Sequence, residues 1–450
     1  MSSLASFYDF VHRTVLCYTE DPDKLLMKAV LKTFVLTLLR FLARRRLAQI
    51  QPKVVGITGS AGKTSAKEVI YEVLSRRFKT KKSEKNLNTE MGLSLTILGL
   101  KAGYSSAGAW VETVFRALGS LFKKPEDYEV LVLEMGVDRP GEMDEILRIA
   151  TPNIMVFLNV KNGHLGEGRF PNRQAIFEEK SKACAAVPKE GWVVLNTDDP
   201  FVKQLAGHLP ANTLSIGTED GSDLQAVDLN MDTNGLRFTL RTEGKELPVS
   251  LPHVLGKQHV TMVLAAIAVG FIQGLPWKAI ELSLQEYHLP PGRMNKIEGL
   301  NGSLIIDSSY NASPDTMAAA LEILGLCHGR KIAALGTMNE LGELTESEHI
   351  KMGKAAAAHA DMLLAVGEQA KNLAAGAERG GMSASMIHTF RTSKEAGYFL
   401  SALLDRHDTV LAKGSQNGVR MEHLVKACMK NPAEARQLLV RQEPYWLTHL

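Results

Sequence analysis

The sequence predicts an α/β protein: a P-loop central domain with a mostly parallel sheet, then a Rossmann-like, doubly wound C-terminal domain. A β-branched run enters a glycine-rich loop and an amphipathic helical pattern at 54–74, and further apolar runs alternate with helical patterns. The same rhythm restarts after Pro290–Gly292. We expect a short helical N-terminal segment at 1–50, the central domain at 51–290 and the second domain at 291–450.

Composition restricts the class of protein. The chain has 450 residues, 45% of them hydrophobic, which suffices for the cores of two or three domains. Its formal net charge of +3 gives no reason to expect a nucleic-acid partner. The four cysteines are scattered, without metal-site spacing or a disulfide framework. We therefore expect a cytoplasmic protein, and we predict a monomer.

The N-terminal segment reads as one helix with a basic cluster. Lys28, Lys32 and Arg40 interrupt the apolar stretch Leu25–Leu47, so it is a poor candidate for crossing a bilayer, and no signal-peptide cleavage site follows. The interpretation we favour is a helix docked on the protein's own surface. The alternative is weak, peripheral contact with an anionic membrane through the apolar side chains and the cluster Arg44–Arg46.

The loop at 54–65, VVGITGSAGKTS, predicts a nucleotide-binding site. Backbone N–H groups of such a loop and of the following helix can cradle phosphate oxygens. Lys63 can reach the β- and γ-phosphates, and the Thr64 hydroxyl can bind Mg²⁺. The generic pattern has glycine five positions before Gly62, where this chain has Ile57, so the alternative is a purely structural turn. The predicted cradle comprises Gly59, Ser60, Ala61, Gly62, Lys63, Thr64 and Ser65.

Polar residues follow the next predicted elements. Glu134 ends the apolar run 129–135, and His164 follows the run 153–160. Lys182 lies on the helical stretch 177–187, with Lys180 as a competitor in register. In a parallel sheet, chemistry gathers at the carboxyl ends of the strands. A surface position or a satisfied polar group is the ordinary alternative for each of these residues.

The remaining elements complete the prediction. A strand is expected at 192–196, an antiparallel side sheet within 214–251 and an apolar helix at 259–273. In the second domain, Arg293 opens the fold and Asp307 ends its first strand. The strands expected there are 303–307, 331–335, 362–365 and 409–412.

Taken in order, these motifs resemble those of the Mur ligase family, ATP-dependent enzymes that form amide bonds in peptidoglycan precursor synthesis. The resemblance covers about Pro52 to Met429. Three motifs are similar to the branch that adds D-alanyl-D-alanine to a UDP-N-acetylmuramoyl tripeptide: EMGVDRPGEM (134–143), DSSYNASPD (307–315) and KGSQNGVRME (413–422). The other motifs are GITGSAGKTS, LEMG (133–136), NVKNGHLG, LNTDDP, LGKQH and PGRM (291–294).

The resemblance implies a mechanism. The γ-phosphoryl group of ATP is transferred to a substrate carboxylate, and the amine of the incoming dipeptide attacks the acyl phosphate. By the same likeness, Lys63, Glu134, His164 and Lys182 are catalytic, and Thr64, Glu134 and His164 hold Mg²⁺. Lys182 is the lysine that CO₂ can carbamylate, and its carbamate would join the metal site. The nucleotide contacts it implies in the second domain are Arg293 for the phosphates and Asp307 for the ribose. The implied substrate contacts are Asn88, Thr89, Asn311, Ser313, Asp315, Lys413 and Arg420.

The chain departs from the family pattern at several positions. Gln258, His259 and Met262 stand where His and Asn are usual, so His259 becomes the expected adenine contact. Cys184 replaces a usual Glu, and Thr337 replaces the Asp of an LGDM motif. The residues before Val54 look helical, so we expect the usual N-terminal UDP-binding domain to be missing. Recognition of the UDP-sugar is then altered, supplied by a partner, or absent.

Two other functions compete with this prediction. One is a related ligase with another amino-acid or polyglutamate-type substrate. The other is a non-catalytic, nucleotide-binding subunit or membrane-associated scaffold, against which the presence of Lys63, Glu134, His164 and Arg293 argues.

Overall fold

The structure is a computed structural model that describes residues 22–84, 88–100, 107–120, 126–161, 169–416, 418–443 and 446. The chain divides into two compact units. The first unit runs to Val227 and adds Leu240–Leu247 and Val260–Leu284, and the second contains Asp228–Thr239, Pro248–His259 and the chain from Gln285.

The helices up to residue 286 alternate with strands. They are α1 (Pro22–Ile50), α2 (Lys63–Ser75), α3 (Glu90–Leu98), α4 (Ala107–Ser120), α5 (Glu142–Leu147), α6 (Arg173–Ala185), α7 (Pro200–Lys203), α8 (Val260–Ile272) and α9 (Trp277–Glu286). The strands of the same region are β1 (Lys53–Thr58), β2 (Thr80–Lys82), β3 (Val130–Glu134), β4 (Ile154–Phe157), β5 (Trp192–Asn196), β6 (Asn212–Gly217), β7 (Leu224–Asp232), β8 (Gly235–Thr242) and β9 (Lys245–Leu251).

The rest of the chain repeats the alternation. Its strands are β10 (Asn295–Glu298), β11 (Leu304–Ser308), β12 (Lys331–Gly336), β13 (Met362–Val366), β14 (Ile387–Phe390) and β15 (Thr409–Lys413). Its helices are α10 (Pro314–Gly325), α11 (Thr345–His359), α12 (Ala370–Arg379), α13 (Ser393–Ser401), α14 (Glu422–Cys428) and α15 (Ala435–Leu438).

The first sheet places the loop after β1 between two other strand ends. Its strand order is β2-β3-β1-β4-β5-β6-β7-β8-β9, and the pairs from β2 to β7 are parallel. Strand β1 pairs with β3 on one side and β4 on the other. The carboxyl ends of β3 and β4 therefore flank the glycine-rich loop.

The second sheet has the order β10-β11-β15-β12-β13-β14. Only β10 is antiparallel to its neighbour among these pairs, so β11 to β14 form a parallel core. Asp307 lies in β11 opposite Ala412 of β15, and Ser308 lies opposite Lys413. The predicted α/β class, with a mostly parallel sheet and a second doubly wound sheet, is confirmed.

One local prediction was wrong in part. The stretch expected as an antiparallel side sheet begins with β6, which is parallel to both β5 and β7 and so continues the main sheet. Only β7, β8 and β9 are joined by two-residue turns, which connect antiparallel strands. Helix α3 precedes β3 in the chain, and Thr89 caps its N-terminus.

Helix α1 packs on the protein, as the favoured interpretation predicted. Leu39, Leu42 and Ala43 are buried in the main hydrophobic cluster of the first unit. Arg40 donates from Nε to Glu90 Oε1 over 2.9 Å and also pairs with Glu145. Among the described residues, no helix combines the length and apolar character that a membrane crossing requires.

Candidate active site

The loop after β1 needs glycine at two positions. Gly59 and Gly62 have φ angles of +149° and +87°, which L side chains rarely adopt. A Cβ atom on Gly62 would lie 2.8 Å from Met262 Cε, and one on Gly59 would lie 3.1 Å from Leu158 Cβ. The backbone can therefore take a tight path here that no other residue type allows without strain.

Asn159, just beyond β4, fixes this loop. Its side-chain Oδ1 accepts from the Ala61 N–H over 2.9 Å, and its Nδ2 donates to the Ala61 carbonyl over 3.1 Å. The Ser60 N–H donates to the Asn159 carbonyl over 2.9 Å. Lys161 N–H adds a 3.0 Å bond to the Ser60 hydroxyl. The loop is thus held on the neighbouring strand end by bonds in both directions.

Helix α2 begins immediately at Lys63. The N–H groups in the first turn of a helix have no acceptor within the helix, and the helix dipole makes this end attractive to anions. Lys63 Nζ donates to the Gly59 carbonyl over 2.8 Å, so the ammonium lies over the loop. Thr64 and Ser65 continue the first turn. This arrangement fits the phosphates of a nucleotide.

Glu134 ends β3 beside the loop. Its Oε2 accepts from the Thr64 hydroxyl over 3.0 Å, and its Oε1 accepts from Asn88 Nδ2 over 3.4 Å. Behind it, the fully buried Lys67 donates to the Ser83 carbonyl over 2.7 Å, and Ser83 Oγ accepts from the Glu134 N–H over 3.4 Å. Glu134 is therefore buried but held from both sides.

The oxygens of Thr64 and Glu134 are ligands that Mg²⁺ prefers, so the two residues fit the predicted metal. His164 and the segment 162–168 lie outside the described residues. Within the described ranges, no three His, Cys, Asp or Glu side chains gather as a metal site. The two residues before that segment are held by backbone hydrogen bonds: Val160 N–H donates to Asp199 Oδ2 over 2.9 Å, and Lys161 N–H donates to the Ser60 hydroxyl over 3.0 Å.

The structure separates the two lysines of α6. Lys180 is buried, and the charges of Lys63, Asp138, Glu142 and Glu179 act on its amine. Burial and then the positive charge of Lys63 lower the pKa of Lys180 from 10.5 to about 7.

The predicted Lys182 lies elsewhere. Its side chain is 39% exposed and pairs with Asp144 over 2.7 Å and with Glu179 over 2.8 Å. The structure thus does not bring Lys182 to the P-loop lysine, because its place on the helix turns it toward α5. The lysine that does approach Lys63 is Lys180.

In the second unit, Asp307 and Lys413 end neighbouring strands. Asp307 is fully buried, accepts the Ser309 N–H at Oδ1 over 3.0 Å, and has no partner at Oδ2 among the described residues. Burial raises the pKa of Asp307 from 3.8 to about 6. Lys413 Nζ donates to Ser308 Oγ over 3.0 Å and to the Asn311 carbonyl over 2.9 Å. Burial, and then Arg293, lower the pKa of Lys413 to about 8.

Arg293 and His259 lie in the same unit. The Arg293 guanidinium stacks over the Tyr310 ring at 4.2 Å from its centroid. Gly292 before it has a φ of +73°, and a Cβ atom there would lie 2.8 Å from Tyr310 N. His259 is buried, and neither ring nitrogen has a hydrogen-bond partner in the described chain. Burial, and then Arg293, lower the pKa of His259 to about 4, so its imidazole is neutral at pH 7.

Arg420 is held by a buried carboxylate. It adopts a φ of +47° and donates from Nε to Glu422 Oε1 over 3.1 Å and from Nη1 to the Trp446 carbonyl over 2.8 Å. Arg441 binds the same Glu422 oxygen over 2.9 Å and the Ser309 carbonyl over 2.7 Å. The arrangement stabilises the segment after β11.

Three other predicted substrate contacts lie at helix starts. Thr89 accepts from Gly92 N–H over 3.4 Å as the cap of α3. Ser313 forms a capping box with Thr316 at the start of α10, and Asp315 is exposed in its first turn. Each of these residues has a structural role that leaves the predicted substrate role open.

Some residues of the site escaped the sequence analysis: Asn159, Lys67, Glu422 and Arg441. Asn159 follows β4 directly, so its position at a strand end was the available signal. Glu422 lies inside the motif KGSQNGVRME, but its partner Arg441 is distant in sequence and has no motif of its own.

A glycine-rich loop between parallel strands, an acid at the next strand end and a second doubly wound sheet define a P-loop nucleotide-binding α/β protein. Two family models match the chain: the Mur ligase middle domain at residues 57–270 and the Mur ligase glutamate ligase domain at residues 292–416. The chain belongs to the Mur ligase family.

Individual members of the family are similar to this chain over most of its length. The UDP-N-acetylmuramoyl-tripeptide–D-alanyl-D-alanine ligase of Bacillus subtilis (strain 168) is 28% identical over 400 residues, which are 88% of this chain and 80% of the relative. The ligase of the same name from Escherichia coli (strain K12) is 29% identical, covering 85% and 78%.

Solved structures are similar as well. MurF from Acinetobacter baumannii is 28% identical with a TM-score of 0.74, covering 87% of this chain and 79% of that one. MurF ligase from Thermotoga maritima, in complex with ADP, is 27% identical with a TM-score of 0.70, covering 87% and 83%.

Proposed function

We propose that this protein is an ATP-dependent, ADP-forming ligase that joins D-alanyl-D-alanine to a muramoyl tripeptide in peptidoglycan precursor synthesis. The observation that carries the proposal is the pairing of the P-loop with Glu134, at 3.0 Å from the Thr64 hydroxyl, in a chain whose D-alanyl-D-alanine-ligase relatives match both units.

The chemistry has two steps. A carboxylate oxygen of the tripeptide attacks the γ-phosphorus of ATP, the bond to the β–γ bridging oxygen breaks, and ADP leaves. The dipeptide amine then attacks the acyl carbon and loses a proton, and inorganic phosphate leaves as the amide forms. All the reacting groups except the amine are anionic, so catalysis depends on position and charge neutralisation.

Residues of the first unit supply that neutralisation. The N–H groups at the start of α2 face the phosphates, and Lys63 moves its ammonium from the loop carbonyls to the transferring phosphoryl group. Thr64, Glu134 and His164 would hold Mg²⁺, which neutralises phosphate charge when it is bound. Asn159 keeps the loop in position before the nucleotide arrives.

We assign the carbamylation role to Lys180, where the sequence analysis favoured Lys182. Lys180 is the buried lysine near Lys63, and a neutral amine is the form that attacks CO₂. The amine nitrogen bonds the CO₂ carbon and releases one proton, which leaves a carbamate anion. The repulsion between the Lys63 ammonium and a charged Lys180 is then replaced by attraction between the ammonium and the carbamate.

Residues of the second unit bind the remaining groups. We propose that Asp307 Oδ2 accepts from a ribose hydroxyl, that Arg293 binds phosphate and that neutral His259 contacts adenine. Lys413 retains one N–H beyond its two hydrogen bonds, which suits a substrate carboxylate. Arg420 holds Glu422 and is the weaker of the two candidate carboxylate ligands.

A product assay tests the proposal. The protein is incubated with ATP, UDP-muramoyl tripeptide and D-Ala-D-Ala, and the products are read by mass spectrometry. The expected result is the pentapeptide and one ADP per amide bond. Folded Lys63→Ala protein should lose at least about 10²-fold in kcat. Normal turnover by this variant would remove the P-loop from the mechanism.

The same assay separates the alternatives. Ligation of single amino acids or of glutamate to a folate-type acceptor, without pentapeptide formation, would identify a related ligase with another substrate. Nucleotide binding without any acceptor-dependent ADP release would identify a non-catalytic subunit.

A further inference from the structure

Helix α1 presents large apolar side chains on two faces. Its inner face packs on the protein through Leu39 and Leu42. On the outer face, Phe34 and Phe41 are 63% and 59% exposed. They are seven residues apart, which places them on the same side of the helix. These two side chains are mostly exposed to solvent, so they contribute little to the stability of the described fold.

The neighbouring helix α4 adds to this face. It packs against α1, and its Ala117 lies in the same hydrophobic cluster as Leu39 and Leu42. On its outer side, Phe115 is 70% exposed and Leu118 is 37% exposed. Two adjoining helices thus expose three phenylalanines and a leucine, here called the outer aromatic face. Single exposed apolar residues are ordinary, but such a group indicates an interaction surface.

Basic side chains lie beside the outer aromatic face. Arg44 and Arg45 are exposed one turn beyond Phe41, and neither pairs with a carboxylate in the described chain. Helix α1 as a whole contains seven Lys and Arg residues and one Asp. A partner that covers this face therefore has to offer both an apolar layer and negative charge.

We propose that the outer aromatic face binds the surface of an anionic lipid bilayer, with α1 and α4 lying in the interface. Phenylalanines can enter the acyl boundary while arginines contact the headgroups. A second copy of the chain fits less well, because a two-fold contact sets a patch against itself and would bring Arg44 and Arg45 of both copies together. The contact is reversible, since it involves few residues and none of the helices that the structure describes could span a membrane.

Vesicle sedimentation with the full-length protein tests this. Phosphatidylcholine vesicles are compared with vesicles that also contain phosphatidylglycerol, at low and high salt. We expect retention on the anionic vesicles only, with loss at high salt. The double variant F34S/F41S should bind on the order of tenfold or more weakly. The variant R44Q/R45Q should lose about thirtyfold on anionic vesicles, since each of the two interfacial charges contributes on the order of 1 kcal/mol.

A control and three contrary outcomes make the test decisive. The matched control is Leu344→Ser, which removes a 60% exposed leucine from the second unit and should bind vesicles like the wild type. Equal retention of all variants, or no retention of the wild type, overturns the proposal. A dimer in analytical ultracentrifugation that F34S/F41S converts to a monomer, without vesicle binding, would assign the face to a second copy. The ligase assay is run in solution, so its result is independent of this one.

Discussion

Lys180 and Lys182 are two positions apart on one helix, so their side chains point to nearly opposite sides of it, about 160° apart. One is buried beside the charge of Lys63, and the other pairs with Asp144 at the surface. The sequence alone left both open, because a motif match fixes the helix but not which of its faces meets the sheet. The burial of Lys180 is what distinguishes the two lysines in the structure.

We expect Lys180→Ala to lose at least about 10²-fold in kcat, because the group that balances Lys63 is removed from a buried site. Lys182→Ala is the matched control and should stay within about threefold, since it removes only a partly exposed ion pair. Added short-chain carboxylates should restore part of the Lys180→Ala activity by replacing the carbamate. Full activity of Lys180→Ala with loss in Lys182→Ala would reverse the assignment.

Asp307 links the site to stability. Its pKa is raised from 3.8 to about 6 by burial, so the folded state binds the proton more tightly than the unfolded chain. Its presence therefore costs stability as pH rises through this interval, and the full cost is present above pH 6. A shift of this size corresponds to about 3 kcal/mol, part of which an asparagine would recover.

We predict that Asp307→Asn raises the free energy of unfolding at pH 7.5 by about 1 kcal/mol relative to the wild type. Below about pH 4 the carboxyl is increasingly protonated in the unfolded chain as well as in the folded protein, and the difference should shrink toward zero. Urea denaturation at both pH values measures this. The same variant should bind ATP more weakly if Asp307 contacts the ribose. A stability difference that does not change with pH would show that the carboxylate is not the costly group.

Among the elements, the loop after β1 depends on the strand beside it. Asn159 makes two side-chain bonds to Ala61 and one carbonyl bond to Ser60, so the end of β4 sets the position of the P-loop. A preformed loop saves ordering entropy when the phosphates bind. Asn159 is thus a positioning residue for the nucleotide.

We expect Asn159→Ala to raise the KM for ATP by about tenfold to a hundredfold with a smaller change in the KM for the acceptor, because only the phosphate cradle is loosened. Asn153→Ala is the control. The Asn153 side chain also accepts a hydrogen bond from a strand backbone, the Val54 N–H over 2.8 Å, but at the amino ends of β1 and β4, away from the loop. Equal effects of both variants on the two KM values would indicate a general loss of stability.

Most elements were predictable from pattern, and the exceptions have physical reasons. Strands buried on both faces, such as β3 and β13, read as continuous apolar runs. The strand β14 was missed, because its sequence IHTF carries little apolar signal and it lies at the sheet edge.

At the scale of the whole molecule, the proposed mechanism assigns residues of both units to one phosphoryl transfer. Lys63 begins a helix of the first unit, and Arg293 stacks on Tyr310 in the second. Sequence motifs identified both residues. A motif within one unit cannot establish that the two residues act on the same chemical step. Only a measurement that perturbs both units at once tests it.

We therefore predict that Lys63→Ala and Arg293→Ala are strongly non-additive in kcat. Residues that act as one catalytic unit lose most of their effect with the first removal, so the double variant should fall no more than about tenfold below the slower single variant. The control is the double variant Lys63→Ala with Arg391→Ala, in which an exposed arginine of the second unit is removed instead of Arg293. Its kcat should equal that of Lys63→Ala alone. If the two losses multiply fully, Lys63 and Arg293 serve separate steps, and the placement of Arg293 at the ATP phosphates is wrong.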